Sequence, residues 1–380
     1  MEKRVIMKEQ KIIEIVKKGI PFDGMGDIRI VDVQVEYRKN ISLDDNFNPD
    51  MVITLDFTGT MIKLSGEVKT QVTPKVLELM SPWFARIKSV AQQETFVLIC
   101  PYLSPRSQQY CLKKNINFVD LCGNILIQIP GKLLIQRLNR PNIYKENQIY
   151  RNPFGGASSR VIRVLLQVPG KSWTVTEIEK ELEIESKRQK RKDLFKLSIS
   201  SISKTIRALQ EDLLIQRRNL KIVVTDPKQL LFIWAKKYKE RYKWTRISAW
   251  TSNNPFGFDI ESSIREFNLR FKDLDTLVTA SAATNFIAPF VNVDRIDMFI
   301  LNKERGNILR ILKDEKDIGP SFLFMCPYDV GVFMYSRKIK NFIIASNIQM
   351  YLDCYARDGR DAKQADYLLT NIIEKQWKNK

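Results

Sequence analysis

The sequence predicts a multi-domain protein, α/β in its first part and α+β in its last. Three observations lead there. The chain has 380 residues, enough for two or three domains, and 44% of them are apolar, enough for real cores. Its first 145 residues alternate strand-like runs with helix-like runs. Stretches rich in Pro, Gly, Asn and Ser at 140–157 and just after residue 250 divide it into segments 1–145, 155–245 and 250–380.

In the first segment, residues 8–18 form an amphipathic helix with Ile12, Ile13, Ile15 and Val16 on or near its buried side, ended by Gly19 and Pro21. Residues 27–37 alternate apolar and polar side chains and read as a half-exposed strand. After a polar loop at 39–48, Pro49-Asp50 opens a strand-like run at 51–57. A Thr-Gly-Thr turn at 58–60 leads into a second run that delivers Glu67 and Lys69. Residues two apart in a strand share a face, so Glu67 and Lys69 lie side by side and the hairpin carries Asp50 towards them. Two carboxylates and an amine at one point suit metal-dependent phosphodiester hydrolysis. The carboxylates hold Mg²⁺ through hard oxygens, the metal activates water and stabilises the leaving oxygen, and the lysine orients the nucleophile. Further on, the pattern predicts a helix from Pro74 to about residue 91, a buried strand of the parallel type at 94–100, a helix at 104–114 and strands at 116–121 and 125–129. Asp120 and Asn124 read as residues that shape the turn between the last two.

The order helix, three strands, helix, strand, helix, strand, with Pro-Asp before the second strand and Glu-x-Lys closing the third, resembles the PD-(D/E)XK restriction-endonuclease-like fold over most of residues 8–130. Tyr102-Leu-Ser-Pro-Arg and Asn117-Phe-Val-Asp-Leu-Cys-Gly-Asn-Ile are similar to the second half of bacterial members that carry a winged helix after the nuclease-like domain. The resemblance implies Asp50, Glu67 and Lys69 as the catalytic set, with Asp50 and Glu67 as metal ligands, Mg²⁺ as the cofactor, and Glu14 as an outer carboxylate. Two other readings stay open. Glu67 and Lys69 can be solvent-facing strand residues with Asp50 capping a loop, or the fold can persist as an inactive scaffold.

The middle segment reads as a winged helix-turn-helix. Residues 159–167 form a helix stopped by Pro169-Gly170. Thr174, with Glu177 three residues on, is a capping box that starts a second helix. Residues 198–209 form a third, with Ile199, Ile202, Ile206 and Leu209 on one stripe, and 213–225 form a basic hairpin. In this layout the third helix enters the major groove. Its outward face offers Ser200, Ser201, Ser203, Lys204 and Arg207, and the wing offers Arg217, Arg218 and Lys221. The run Lys187-Arg188-Gln-Lys190-Arg191-Lys192 between second and third helices reads as an extra phosphate clamp or a solvated loop. Residues 151–245 carry 22 Lys and Arg against 10 Asp and Glu, +12 of the chain's +19.

In the last segment, 274–287 reads as a helix rich in small residues. Strands are expected at 295–301, 307–312, 321–326 and 332–335, and closing helices at 347–355 and 362–375. Asp294 and Asp297 read as surface residues at a strand end. Thr279-Ala-Ser-Ala-Ala, Pro327-Tyr-Asp-Val and the run from Asn347 to Arg360 resemble the AbiEi family of type IV antitoxins over 155–375. That resemblance implies an operator-binding regulator paired with a separately encoded nucleotidyltransferase-like toxin.

Composition bounds the function further. The net charge of +19 favours a polyanionic partner. The absence of histidine excludes Ser-His-Asp and Cys-His hydrolases, His-Glu-x-x-His metalloproteases and Cys₂His₂ fingers. Five cysteines without a Cys-x-x-Cys pair read as reduced. With neither a membrane span nor a signal core, the expectation is a cytoplasmic protein. The leading expectation is a double-stranded DNA-binding protein, either an antitoxin-like transcriptional regulator or a DNA-targeting defence component. The alternative is a Mg²⁺-dependent DNA endonuclease acting through Asp50, Glu67 and Lys69. A third reading is an adaptor that grips another defence protein through its last segment, and oligomer formation stays open.

Overall fold

The computed structural model describes residues 7–35, 49–90, 95–144, 152–189, 194–247, 249–272, 274–301, 305–312, 315–340 and 342–379, and the polar loop expected at 39–48 lies outside them. The described chain is mixed α/β and falls into two compact units, 1–150 with 211–213, and 151–210 with 214–380.

The first unit is built on a seven-stranded sheet whose spatial order follows the sequence. It contains α1 (Glu9–Lys17), β1 (Ile28–Val35), β2 (Met51–Phe57), β3 (Thr60–Val68), α2 (Pro74–Val90), β4 (Thr95–Cys100), α3 (Pro105–Lys114), β5 (Phe118–Asp120), β6 (Ile125–Ile129) and β7 (Leu133–Arg137). Strands β1–β3 form an antiparallel meander, β3–β5 run parallel, and β5–β7 are antiparallel again. The two parallel steps need crossovers, which α2 and α3 supply. The β2–β3 turn is two residues long. Thr58 and Gly59 both take positive φ, 47° and 87°, and the Asp56 carboxylate accepts from the Gly59 amide at 2.8 Å.

Side-chain alternation divides the core in two. Met51, Ile53, Leu64, Val97, Ile99 and Val119 pack with Ile12 and Val16 of α1 on one face of the sheet. Leu98, Cys100, Phe118 and Leu126 pack with Leu77 of α2 and Cys111 of α3 on the other. Because β4 is buried on both faces, it reads as one continuous apolar run. A Cβ on Gly66 would stand 2.6 Å from Ile99 Cδ1 and 3.0 Å from Met51 Cγ, so glycine is what lets β2, β3 and β4 close together there.

The second unit opens with α4 (Ser159–Gln167), α5 (Val175–Arg188) and α6 (Ile199–Glu211), then the hairpin β8 (Ile215–Arg218) and β9 (Lys221–Val224). The capping box at α5 is complete: Thr174 Oγ1 accepts from the Glu177 amide at 3.1 Å, and Glu177 Oε2 from the Thr174 amide at 2.6 Å. Trp173 exchanges two backbone bonds with Ile222, at 2.8 and 2.7 Å, an isolated bridge that ties the start of α5 to the hairpin. A long helix, α7 (Pro227–Ile247), follows. Its buried Leu230, Leu231, Trp234 and Tyr238 recur at spacings of three and four.

Next come β10 (Trp250–Ser252), α8 (Ile260–Arg270), β11 (Thr276–Thr279), α9 (Ala280–Thr284), β12 (Arg295–Ile300), α10 (Arg305–Leu312), β13 (Ser321–Met325), β14 (Arg337–Ile339), β15 (Phe342–Ile344), α11 (Asn347–Tyr355), α12 (Arg360–Leu368) and α13 (Glu374–Lys378). The six strands order as β10-β13-β12-β11-β15-β14. One hydrophobic core runs from Phe154 on the α4 side to Ile373, so residues 151–245 and the C-terminal sheet share an interior.

Several expectations for this unit differ from the structure. Residues 276–279 are a strand, not helix: the fully buried Thr276–Thr279 pairs with β12 on one side and β15 on the other, and only then does α9 begin, at Ala280 with φ 51°. Residues 307–312 are helical. Ile308 and Leu312, four apart, are buried while Leu309 is exposed, a period that six residues cannot distinguish from a strand. Val330–Phe333 is a 3₁₀ turn started by Asp329, whose carboxylate accepts from the Gly331 amide at 2.7 Å. Asp297 is not a surface residue. It is 1% exposed and forked by Arg357, with Arg295 Nε at 3.2 Å, whereas Asp294 is exposed.

Candidate functional site

In the first unit the β2–β3 register pairs Met51 with Gly66 and Val52 with Ser65. One step outward, the same register sets Asp50 opposite Glu67, on the sheet face away from Met51. Asp50 Oδ2 accepts from the Val68 amide at 2.7 Å, which pins the entry of β2 to the exit of β3. The Lys69 amide donates to the Ile99 carbonyl at 2.8 Å, and Lys69 Nζ donates to Glu67 Oε1 at 2.5 Å. All three expected residues thus lie together at the carboxyl end of β3, where that strand runs parallel to β4.

Burial raises the Glu67 carboxyl above its ordinary pKa; the Lys69 ammonium opposes this, and the Asp50 and Glu9 carboxylates add to it. Glu9, in the first turn of α1, contributes the smallest of these effects, and both it and Glu14, the outer carboxylate expected from sequence, are exposed on that helix. Nothing in the helical pattern singles out Glu9.

Among the described residues no group of three or more His, Cys, Asp and Glu side chains is placed to hold an ion. The donors here are two carboxylates, each with one oxygen in a bond to the protein. That set fits Mg²⁺, which binds through one or two carboxylates and keeps several waters.

Asp120, at the same sheet edge, is fully buried and serves the fold. Its carboxylate accepts from the amides of Leu103, Cys122 and Asn124 and from Asn124 Nδ2, at 2.7–2.9 Å. Burial still pushes its pKa up to about 6 against those four donors.

In the second unit the Ser198 hydroxyl accepts from the Ser201 amide at 3.2 Å and starts α6. Ile202, Ile206 and Leu209 are buried, but Ile199 is 49% exposed and belongs to the outward face. It lies in the first turn, beyond the reach of the core. Ser200, Lys204 and Arg207 are exposed. Ser201 and Ser203 are half-buried, and Ser201 Oγ accepts from Ser198 Oγ at 3.0 Å. Arg217, Arg218 and Lys221 are exposed on the hairpin, and Lys221 Nζ lies 3.6 Å from Glu177.

Lys187 and Arg188 are not in a loop but in the last turn of α5. Lys187 pairs with Glu183 at 2.9 Å, and Arg188 with the fully buried Glu185 at 2.6 Å, so Arg188 neutralises an interior carboxylate. Lys190, Arg191 and Lys192 lie outside the described residues.

The residues quoted for the antitoxin resemblance build an interior network. Asp353, fully buried, accepts from Tyr238 at 2.5 Å and from Gln349 at 2.9 Å, and also from Thr279. Gln349 in turn accepts from Arg163 of α4 at 2.5 Å. The network ties α4 and α7 to α11. Sequence periodicity offered no sign of it.

No protein-family model matches this chain, and no curated protein and no solved structure matches it either. Among the described residues no helix is long and apolar enough to cross a membrane.

Proposed function

We propose that this chain is a duplex DNA-binding protein in which α4–α6 and the β8–β9 hairpin act as a winged helix-turn-helix. The observation that carries this reading is the pairing of one exposed face of α6, with Ser200, Lys204 and Arg207, with an adjacent hairpin exposing Arg217, Arg218 and Lys221. Small hydroxyls let a helix approach base edges, and Lys and Arg suit guanine edges or phosphates. The resemblance to type IV antitoxins supports transcriptional regulation as the role, with a nucleotidyltransferase-like toxin as protein partner. The test is fluorescence anisotropy with a random-sequence duplex pool. Salt-sensitive binding that Lys204→Ala/Arg207→Ala weakens at least tenfold supports the reading, and binding indifferent to that double change sinks it.

A second reading is favoured by the register that sets Asp50 opposite Glu67 with Lys69 at 2.5 Å. Together with the element order of the first unit, which resembles the PD-(D/E)XK fold, it supports Mg²⁺-dependent cleavage of DNA. Asp50 and Glu67 would hold the ion, which when bound supplies Lewis acidity at a phosphodiester. The Val68 amide orients Asp50, and Lys69, held by Glu67, would supply a positive charge to a phosphate bound there. Incubation of duplex DNA with Mg²⁺ or Mn²⁺ tests this. Cutting that Asp50→Ala and Lys69→Ala both abolish supports a nuclease, and intact DNA leaves the first unit a scaffold.

A further inference from the structure

The hairpin of the second unit turns in two residues, Asn219 and Leu220, between the paired Arg218 and Lys221. Both take left-handed backbone, with φ 46° and 67°. That is the mirror-image turn suited to the twist of a hairpin, and its second position favours glycine. The β2–β3 hairpin of this same chain obeys that preference with Thr58-Gly59. Here a leucine occupies the position. A Cβ is disfavoured in left-handed backbone, and folding returns little for it, because Leu220 is 67% exposed and lies outside the core of its unit. A strained, exposed apolar side chain at the tip of a cationic hairpin points to a use outside the fold.

We infer that Leu220 is an apolar wedge that the wing inserts into the minor groove of duplex DNA, between base steps. This rests on the DNA-binding reading above. Arg217, Arg218 and Lys221 stand exposed beside the tip, placed to meet the phosphates that border a groove. Side chains of this kind part a base step and bend the duplex when cations hold the flanking backbone. The substrate class is then a deformable duplex, with flexible pyrimidine–purine steps opposite the wing.

The two effects of the residue have opposite signs, and the test uses that. The probe is a duplex selected from a random pool by the full-length protein, carrying 2-aminopurine at successive steps and a dye pair at its ends. Leu220→Gly and Leu220→Asn are compared with wild type. The expected result is a melting temperature unchanged or raised by about 2–4 °C, with affinity for the duplex lowered about 5- to 30-fold. Loss of the bend and of the 2-aminopurine brightening should accompany it, while Leu220→Met keeps both. Affinity and bend unchanged in Leu220→Gly, while Arg217→Ala/Arg218→Ala still weakens binding, overturns the wedge and leaves DNA binding standing. A wild-type protein that binds no duplex in a salt-sensitive way removes the DNA-binding reading and the wedge with it.

Discussion

Removing two wing arginines should change how binding responds to salt, not only how tight it is. Each phosphate neutralised on duplex DNA contributes about 0.9 to the slope of log K against log salt. The exposed cations of α6 and the hairpin are Lys204, Arg207, Arg217, Arg218 and Lys221. Glu177 already lies 3.6 Å from Lys221 and competes for it. Four to five phosphate contacts give a slope of about −3.6 to −4.5, or a loss of two to three decades in affinity between 50 and 200 mM salt. Arg217→Ala/Arg218→Ala removes two contacts and should bring the slope to about −1.8 to −2.7. The fold should survive, because both arginines are exposed and the buried Ile215, Ile222 and Val224 of the hairpin are retained. Anisotropy titrations of a labelled duplex at four or more salt concentrations measure both slopes. A double variant with the wild-type slope, or a wild-type slope shallower than about −1, would refute the assignment of these cations to phosphates.

Three further predictions concern the scaffold. Arg357→Met strips the nearly buried Asp297 of its forked partner and leaves only Arg295 at 3.2 Å, which should destabilise the second unit by about 3–5 kcal/mol in urea denaturation; a loss below about 1 kcal/mol contradicts the account. Gly66→Ala drives a methyl to 2.6 Å from Ile99 Cδ1, and an overpacking cost of about 1–3 kcal/mol should lower the urea midpoint of the first unit, whereas an unchanged midpoint means the contact relaxes freely. Asp120 holds its proton up to about pH 6 when folded, against 3.8 for the ordinary carboxyl, so the native state binds the proton more tightly than the unfolded chain. Its contribution is fully present below about pH 4 and is lost as the pH rises through about 6. Stability relative to Asp120→Asn should therefore fall by up to about 3 kcal/mol over that window, and a flat difference would exclude it.

Local chemistry made much of this legible. The hairpin at 51–68 was readable because two strand-like runs flank a two-residue turn with glycine at its second position, and the register that turn sets places Asp50 opposite Glu67. The capping box at Thr174 was readable because it is a contact between residues three apart. Residues 347–355 form the expected helix to the residue, with Ser346 as its cap. Short apolar runs were not decidable: 276–279 became strand because two neighbours offered it hydrogen bonds, and 307–312 became helix because one side of it met the core.

What the sequence by itself determined is therefore the set of elements whose signals lie within a few residues: period, turn, cap and excess positive charge. The tertiary structure decided which polar and apolar groups those elements bring into contact across long separations. It half-buried Glu67 and buried Asp297 against Arg357. It turned Ile199 outward and bound Asp353 to Tyr238 and Gln349. Burial and electrostatic coupling depend on distance in space, and a single chain's order of residues does not encode that distance until the elements have packed.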